Sequence, residues 1–257
     1  MSVRGLLKQR EEARDKANGP GINEGLPEGV TRYVYLGREL AEGKDFAILA
    51  DPDKWYFYFV HEDGDFATRS TYFQKHTCLH SPRTVDISQA PKYTKPSPEN
   101  CLSCRAKAKR KLYFMIPVYD FEYKTWRILD LKEYHASNII DDYDKLEKAA
   151  KKFDKGYTLV GDIVRISKTS DGKSYSLESA DSEGREAEIE EAKKLIGTAI
   201  SYEELAHFRD EESIREILGK GDDSKIDKSV LGSAAAKSDE FVDDGRPIDI
   251  SEEDLPF

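Results

Sequence analysis

The chain has 257 residues with 50 Asp and Glu against 40 Lys and Arg, a net charge of −10 at pH 7, and three cysteines. That length suits one main domain with appendages. No run of about 20 apolar residues is present for a bilayer span, and the opening "MSVRGLLKQREEARDK" lacks the apolar core of a secretory signal, so a cytoplasmic protein without membrane contact is expected. Three thiols cannot all pair as disulfides, which turns attention to metal chemistry.

Residues 1–20 read as a short charged helical arm ended by the Gly and Pro of "NGPGINEGLPEG". From Thr31 the pattern is strand-like: "RYVYLG", "FAIL" and "KWYFYFV", with Trp55, Phe57 and Phe59 alternating on one core face. The proline-rich stretch 81–100 reads as an extended loop. After it, "LYFMIPVYD" (112–120) puts Leu112, Phe114, Ile116 and Val118 on one face and Tyr113 and Tyr119 on the other. "YKTWRILDL" (123–131) reads as its antiparallel neighbour, and 132–153 as an amphipathic helix using Tyr134, Ile139, Tyr143, Leu146 and Phe153. A hairpin over 157–180 turns at Ser170–Lys173. Helical segments at about 185–197 and 201–219 follow, and residues 221–257 read as a disordered acidic tail. The expected fold is mainly β with helices, an α+β domain over 21–220 built on an OB-type Greek-key barrel of about five strands, with an inserted metal-binding loop in a subdomain over about 61–111.

Cys101 and Cys104 form a CxxC knuckle whose two thiolates can reach one ion. Cys78 supplies a third ligand, and His61, His76 and His80 compete for the fourth place. His61 is favoured because it ends the aromatic strand and would pin sheet to loop. One structural zinc ion is the expectation. No glutamate is placed as a general base beside the knuckle, residue 100 is Asn where zinc deaminases have Pro, and "SDGKSY" lacks the first glycine of a phosphate loop, so no enzyme activity is expected.

Charge is uneven along the chain. Residues 65–131 carry 12 Lys or Arg against 6 Asp or Glu, whereas 239–257 carry eight acids against one arginine. Arg105, Lys107, Lys109, Arg110 and Lys111 follow the knuckle directly, and Tyr93, Tyr113, Tyr119, Phe121, Tyr123 and Trp126 surround them. Cations for phosphates interleaved with aromatic platforms for unpaired bases is the pattern of a single-stranded nucleic-acid groove. Individually, most of these aromatics also suit a core.

The strand ending in His61, then Cys78, then Cys101-x-x-Cys104, then a basic run into "LYFMIPVYD" and "YKTWRILDL", resembles over about residues 31–200 the zinc-containing single-stranded DNA-binding proteins of tailed phages, the T-even helix-destabilising type. The resemblance implies zinc ligands His61, Cys78, Cys101 and Cys104. It further implies a DNA cleft lined by Arg105, Lys107, Lys109, Arg110, Lys111, Tyr113, Tyr119, Tyr123 and Trp126, roles in phage DNA replication, recombination and repair in a host bacterial cytoplasm, and self-association along DNA through a basic arm matched by Arg4, Lys8 and Arg10. The ending "DISEEDLPF" is similar to the tip of bacterial single-stranded DNA-binding protein, which implies that Asp254, Leu255, Pro256 and Phe257 dock replication, recombination and repair proteins. A zinc-containing transcription regulator acting on duplex DNA is the alternative.

Overall fold

The computed structural model describes residues 23–62, 75–220 and 226–232, apart from Glu24 and Glu28. The N-terminal arm up to Ile22 and the docking residues Asp254–Phe257 lie outside the described residues.

The strand β4, Arg110–Asp120, organises the sheet. Two shorter strands lie in tandem along one of its edges: β2, Tyr56–His61, pairs with Arg110–Met115, and β1, Lys44–Ile48, pairs with Val118–Asp120. Pro117 explains the change of partner, since it has no N–H to donate and only its carbonyl is used, by the Leu49 amide at 2.9 Å. A 3-10 turn at Pro52–Lys54 carries the chain from β1 to β2. On the opposite edge β5, Thr125–Lys132, pairs with Tyr113–Asp120. The strand β3, His76–Thr77, extends β2, while β6, Ile163–Lys168, and β7, Tyr175–Ser179, extend β1.

The result is a mixed α+β fold on a seven-stranded antiparallel sheet. Among the described residues no pairing joins the outer strands, so the sheet is open where a closed barrel of about five strands was expected. Helices cover its faces and do the work that closure would do. The expected first strand, 32–37, contributes one parallel bridge, Tyr33 to Ile128, before the short helix α1, Leu36–Glu39. The 81–100 stretch holds a 3-10 turn at Ile87–Gln89 and the helix α2, Ala90–Tyr93, where a wholly extended loop was expected.

Alternation along β4 and β5 separates two sheet faces. Ile116, Val118, Leu129 and Leu131 meet the helix α4, Glu133–Ala150, which buries Ala136, Ile139 and Tyr143 at helical spacing. Tyr134 and Phe153, expected on that stripe, are 62 % and 94 % exposed. Tyr134 lies two residues, about 200°, around the helix from Ala136, and Phe153 lies beyond the helix end. The hairpin turn sits where expected, with Gly172 at φ +68° and Asp171 Oδ1 accepting from the Lys173 amide at 3.0 Å.

The opposite face is covered by α5, Glu186–Lys194, through Ala192, and by α6, Tyr202–Ala206, through Leu205 and Ala206. The single helix expected over 201–219 is broken: His207 adopts a left-handed φ of +49°, and α7, Glu211–Lys220, starts afresh. Ile226 and Leu231, beyond the expected start of the tail at 221, are buried in one cluster with Ile214 and Leu218 of α7.

A buried ionic network fixes the 31–39 segment to the sheet. Arg127, 1 % exposed, donates to the carbonyls of Thr31 and Tyr33 and to the carboxylates of Asp120 and Glu39. Lys44 reaches the same Asp120 at 2.9 Å and Glu39 at 3.2 Å. Each carboxylate oxygen of Asp120 and Glu39 meets at least one cation or amide, which is what makes burial of these charges tolerable.

Candidate metal centre and the basic sheet face

His61 is the last residue of β2, and Cys78 follows β3 directly, its amide bonded to the Phe59 carbonyl at 2.8 Å. Cys101 stands in extended conformation at the start of the four-residue helix α3, Leu102–Arg105, which carries Cys104 one turn on. That turn brings the two CxxC sulfurs onto one side. All four side chains are buried, and their ligand atoms lie within 4.8 Å of one another.

Three of the separations fit a tetrahedral ion. Bonds of about 2.3 Å to sulfur and about 2.0 Å to nitrogen put neighbouring ligand atoms about 3.5–3.8 Å apart. Observed separations are 3.6 Å from Cys78 Sγ to Cys104 Sγ, 3.5 Å from Cys101 Sγ to His61 Nε2, and 3.7 Å from Cys104 Sγ to the same nitrogen. The other ring nitrogen, Nδ1, lies 3.2 Å from the Ala108 carbonyl, an arrangement that leaves Nε2 as the ligand atom. His76 instead bonds Ser103 Oγ at 2.7 Å, and His80 bonds the Lys92 carbonyl at 3.1 Å, so neither belongs to the group.

Without a cation His61, Cys78 and Cys101 depart from their ordinary values. Against the cost of burial, the sulfurs of Cys101 and Cys104 raise the His61 imidazole to about 9. Bonds to Cys101 and Cys104 push the Cys78 thiol well up, while bonds from Cys104 and Cys78, opposed by burial and aided by His61, pull Cys101 well down. A metal ion in place of protons satisfies all four at once.

The basic run does not act as one surface. Arg110 clasps the loop, donating to the carbonyls of His80 at 2.6 Å and Thr94 at 3.2 Å with its guanidinium 3.5 Å above the Phe59 ring. Arg105 is exposed and donates to the Pro98 carbonyl, Lys107 pairs with Asp227 at 3.3 Å, and Lys109 is exposed. Lys111 points to the sheet face opposite α4.

That face carries an aromatic and cationic row. Tyr58, Tyr113 and Lys132 stand directly opposite one another on β2, β4 and β5, with Lys111 opposite Val60 above them and Tyr56, Met115 and Asp130 in the row below. Lys75 Nζ lies 3.9 Å from the Tyr113 ring centre. Glu62 ties the patch together: Lys132 at 2.8 Å, Lys111 at 3.7 Å and the Tyr113 hydroxyl all meet its carboxylate. Against the cost of burial, Lys132 and Tyr113 hold Glu62 below the usual carboxylate range, whereas burial raises Asp130 above it.

The other expected aromatics are dispersed. Tyr119 is buried beneath α5, in edge contact with Phe121. Tyr123 is half-buried with Lys44 4.5 Å from its ring, and Trp126 is half-buried under the Arg32 guanidinium at 4.0 Å. Tyr113 itself is buried beneath its cations. Alternation assigned the faces of β4, but it could not tell that both faces are covered. Lys75, Lys132, Glu62 and Asp130 were not anticipated; the only sequence signals were the alternation of β5, which aligns Lys132 with Tyr113, and the position of Glu62 next to His61.

No protein-family model, curated protein or solved structure matches the chain. Among the described residues no helix is long and apolar enough to cross a membrane.

Proposed function

We propose that the protein binds single-stranded DNA without catalysing a reaction, and that His61, Cys78, Cys101 and Cys104 hold one structural zinc ion. Three thiolates and one imidazole gathered within reach of one ion favour zinc over harder cations, which take oxygen ligands. The ion would tie the end of β2 to the loop that leads into β4.

The observation that carries the DNA reading is the row of Lys75, Lys111 and Lys132 around Tyr58 and Tyr113 on the β2–β4–β5 face. Lysines reach phosphates as flexible point charges, and the tyrosine rings buried beneath them would become stacking surfaces that tolerate any base once they are uncovered. An OB-type barrel uses its strand face in the same way, and the open sheet would be a variant of that design. Asp254–Phe257 would recruit replication, recombination and repair proteins through an acidic segment with an aromatic end.

Titration of fluorescently labelled oligo-dT against a matched duplex, each at low and high salt, tests the reading. Tighter binding of the single strand, weakening steeply with salt, is the expected result. Equal or tighter duplex binding, or no binding to either, overturns it.

A further inference from the structure

Below the lysine row, the same sheet face is closed by residues 200–208. Tyr202 lays its ring on Tyr56, with centroids 5.0 Å apart and planes at 11°. Tyr56 in turn stacks on Tyr58 at 5.8 Å, and Tyr58 meets Tyr113 at 5.9 Å. The hydroxyls of Tyr56 and Tyr58 are bonded elsewhere, to the Pro82 carbonyl at 2.7 Å and Asp130 Oδ1 at 2.8 Å. What Tyr202 covers is therefore the ring face of Tyr56, and its parallel offset is that of a stacked base.

The chemistry of the segment matches that of the ligand it would displace. Residues 201–212 carry five carboxylates, Glu203, Glu204, Asp210, Glu211 and Glu212, against the single Arg209. Glu203 is paired with Arg83, whose guanidinium also lies 4.1 Å above the Phe208 ring. A ring stacked on tyrosine with a carboxylate on arginine copies a base and its phosphate.

Its attachment is confined to one face of the sheet. Leu205 and Ala206 are its buried apolar residues, and the Tyr33 hydroxyl and Thr77 Oγ1 cap the Leu205 and Ala206 carbonyls. Non-helical residues flank it at 195–201 and 207–210, and the left-handed His207 holds a conformation that a non-glycine residue adopts only at a cost. The largest core cluster lies on the other side of the sheet, beneath α4, so lifting the segment leaves it in place.

We propose that residues 200–208 form a strap that occupies the base-stacking face of the free protein as an intramolecular imitation of single-stranded DNA, and that it lifts off when the strand binds. The proposal rests on the DNA reading above. The strap lowers apparent affinity by holding part of the population closed.

Hydrogen exchange on the full chain, with and without saturating oligo-dT, tests it. The Leu205 and His207 amides, bonded to the Ser201 and Glu204 carbonyls in the closed form, exchange faster in the complex if the strap lifts. Unchanged or slower exchange in a chain that binds oligo-dT overturns the strap and leaves the DNA reading standing; a chain that does not bind oligo-dT overturns both. As a second arm, Tyr202→Ala removes the competing ring and should raise oligo-dT affinity on the order of tenfold. Equal or weaker binding by a folded Tyr202→Ala protein counts against the strap, and the exchange experiment on the unmodified chain decides the matter if that variant fails to fold.

Discussion

Replacing Lys75, Lys111 and Lys132 together by Gln is the sharpest perturbation of the proposed phosphate contacts. The three side chains are 33 %, 33 % and 43 % exposed, so the fold should lose little, about 0.5 kcal/mol or less for each. For single strands each phosphate contact contributes about 0.7 to the slope of log Kobs against log salt, so losing three contacts flattens the slope by about 2. Between about 50 and about 200 mM salt the unmodified protein should therefore lose about sixteen-fold more affinity than the variant. Fluorescence anisotropy with oligo-dT over a salt series reads both numbers directly. Arg105, Lys107 and Lys109, replaced together, provide the comparison: they lie beside the knuckle and away from the tyrosine row. Should that second variant flatten the slope while the first leaves it unchanged, the sheet face is not where phosphates bind. Glu62→Gln works in the opposite sense, because it frees Lys111 and Lys132 from their shared carboxylate, and should tighten binding most at low salt.

Cys101→Ser and His61→Ala should each lose the bound metal and melt at lower temperature, while His76→Ala keeps it; metal analysis beside thermal unfolding checks this, and full metal content in Cys101→Ser would contradict the assignment. Arg127→Met leaves the buried carboxylate of Asp120 with Lys44 and the Glu122 amide, and removes the side-chain donor from the Thr31 carbonyl and one of two donors from the Tyr33 carbonyl, so urea unfolding should show a loss of about 3–5 kcal/mol, with a loss under about 1 kcal/mol refuting the role given to the network. Glu39 is opposed by burial but held by Arg127, the Tyr35 amide and Lys44 at a pKa of about 2. Its folded pKa lies below its unfolded value, so its contribution to stability is complete above about pH 4.5 and is lost as pH falls toward about 2. In Glu39→Gln the acid limb of the stability profile should be shallower over that window; an unchanged limb would mean that the ion pairs do not govern it.

What the sequence disclosed was local or periodic. Cys101 and Cys104 sit one helical turn apart, so their meeting is decided within four residues, and the position of His61 at a strand end favoured it over His76 and His80 while the choice itself took the folded geometry. Two-residue alternation assigned Ile116 and Tyr113 to opposite faces of β4 correctly. It was silent about what covers each face, because Tyr202 and Tyr56 lie 146 positions apart and nothing local in either segment indicates the stack. The expected groove went astray for the same reason. Arg110 resembles its neighbours in sequence, yet it is consumed by the carbonyls of His80 and Thr94, while Lys75 and Lys132, far apart in the chain, arrive beside Tyr113 through strand pairing. The open sheet also lay beyond periodicity, since strand count and closure depend on pairings across the whole chain.

The knuckle helix has a consequence for the order in which the chain can assemble. α3 is a single turn, too short to persist by itself, and it depends on the cysteine cluster for its shape. Yet Leu102, Ala106 and Ala108 form the floor on which Ile214 and Leu218 of α7, and then Ile226 and Leu231, come to rest. α7 and residues 226–231 thus have no seat until the knuckle exists. During synthesis the ligands emerge more than a hundred residues before α7 does, so ion capture can be finished while that seat is still vacant. A chain without an ion at the knuckle would accordingly leave α7 undocked and open to proteases while the strands around β4 are already paired.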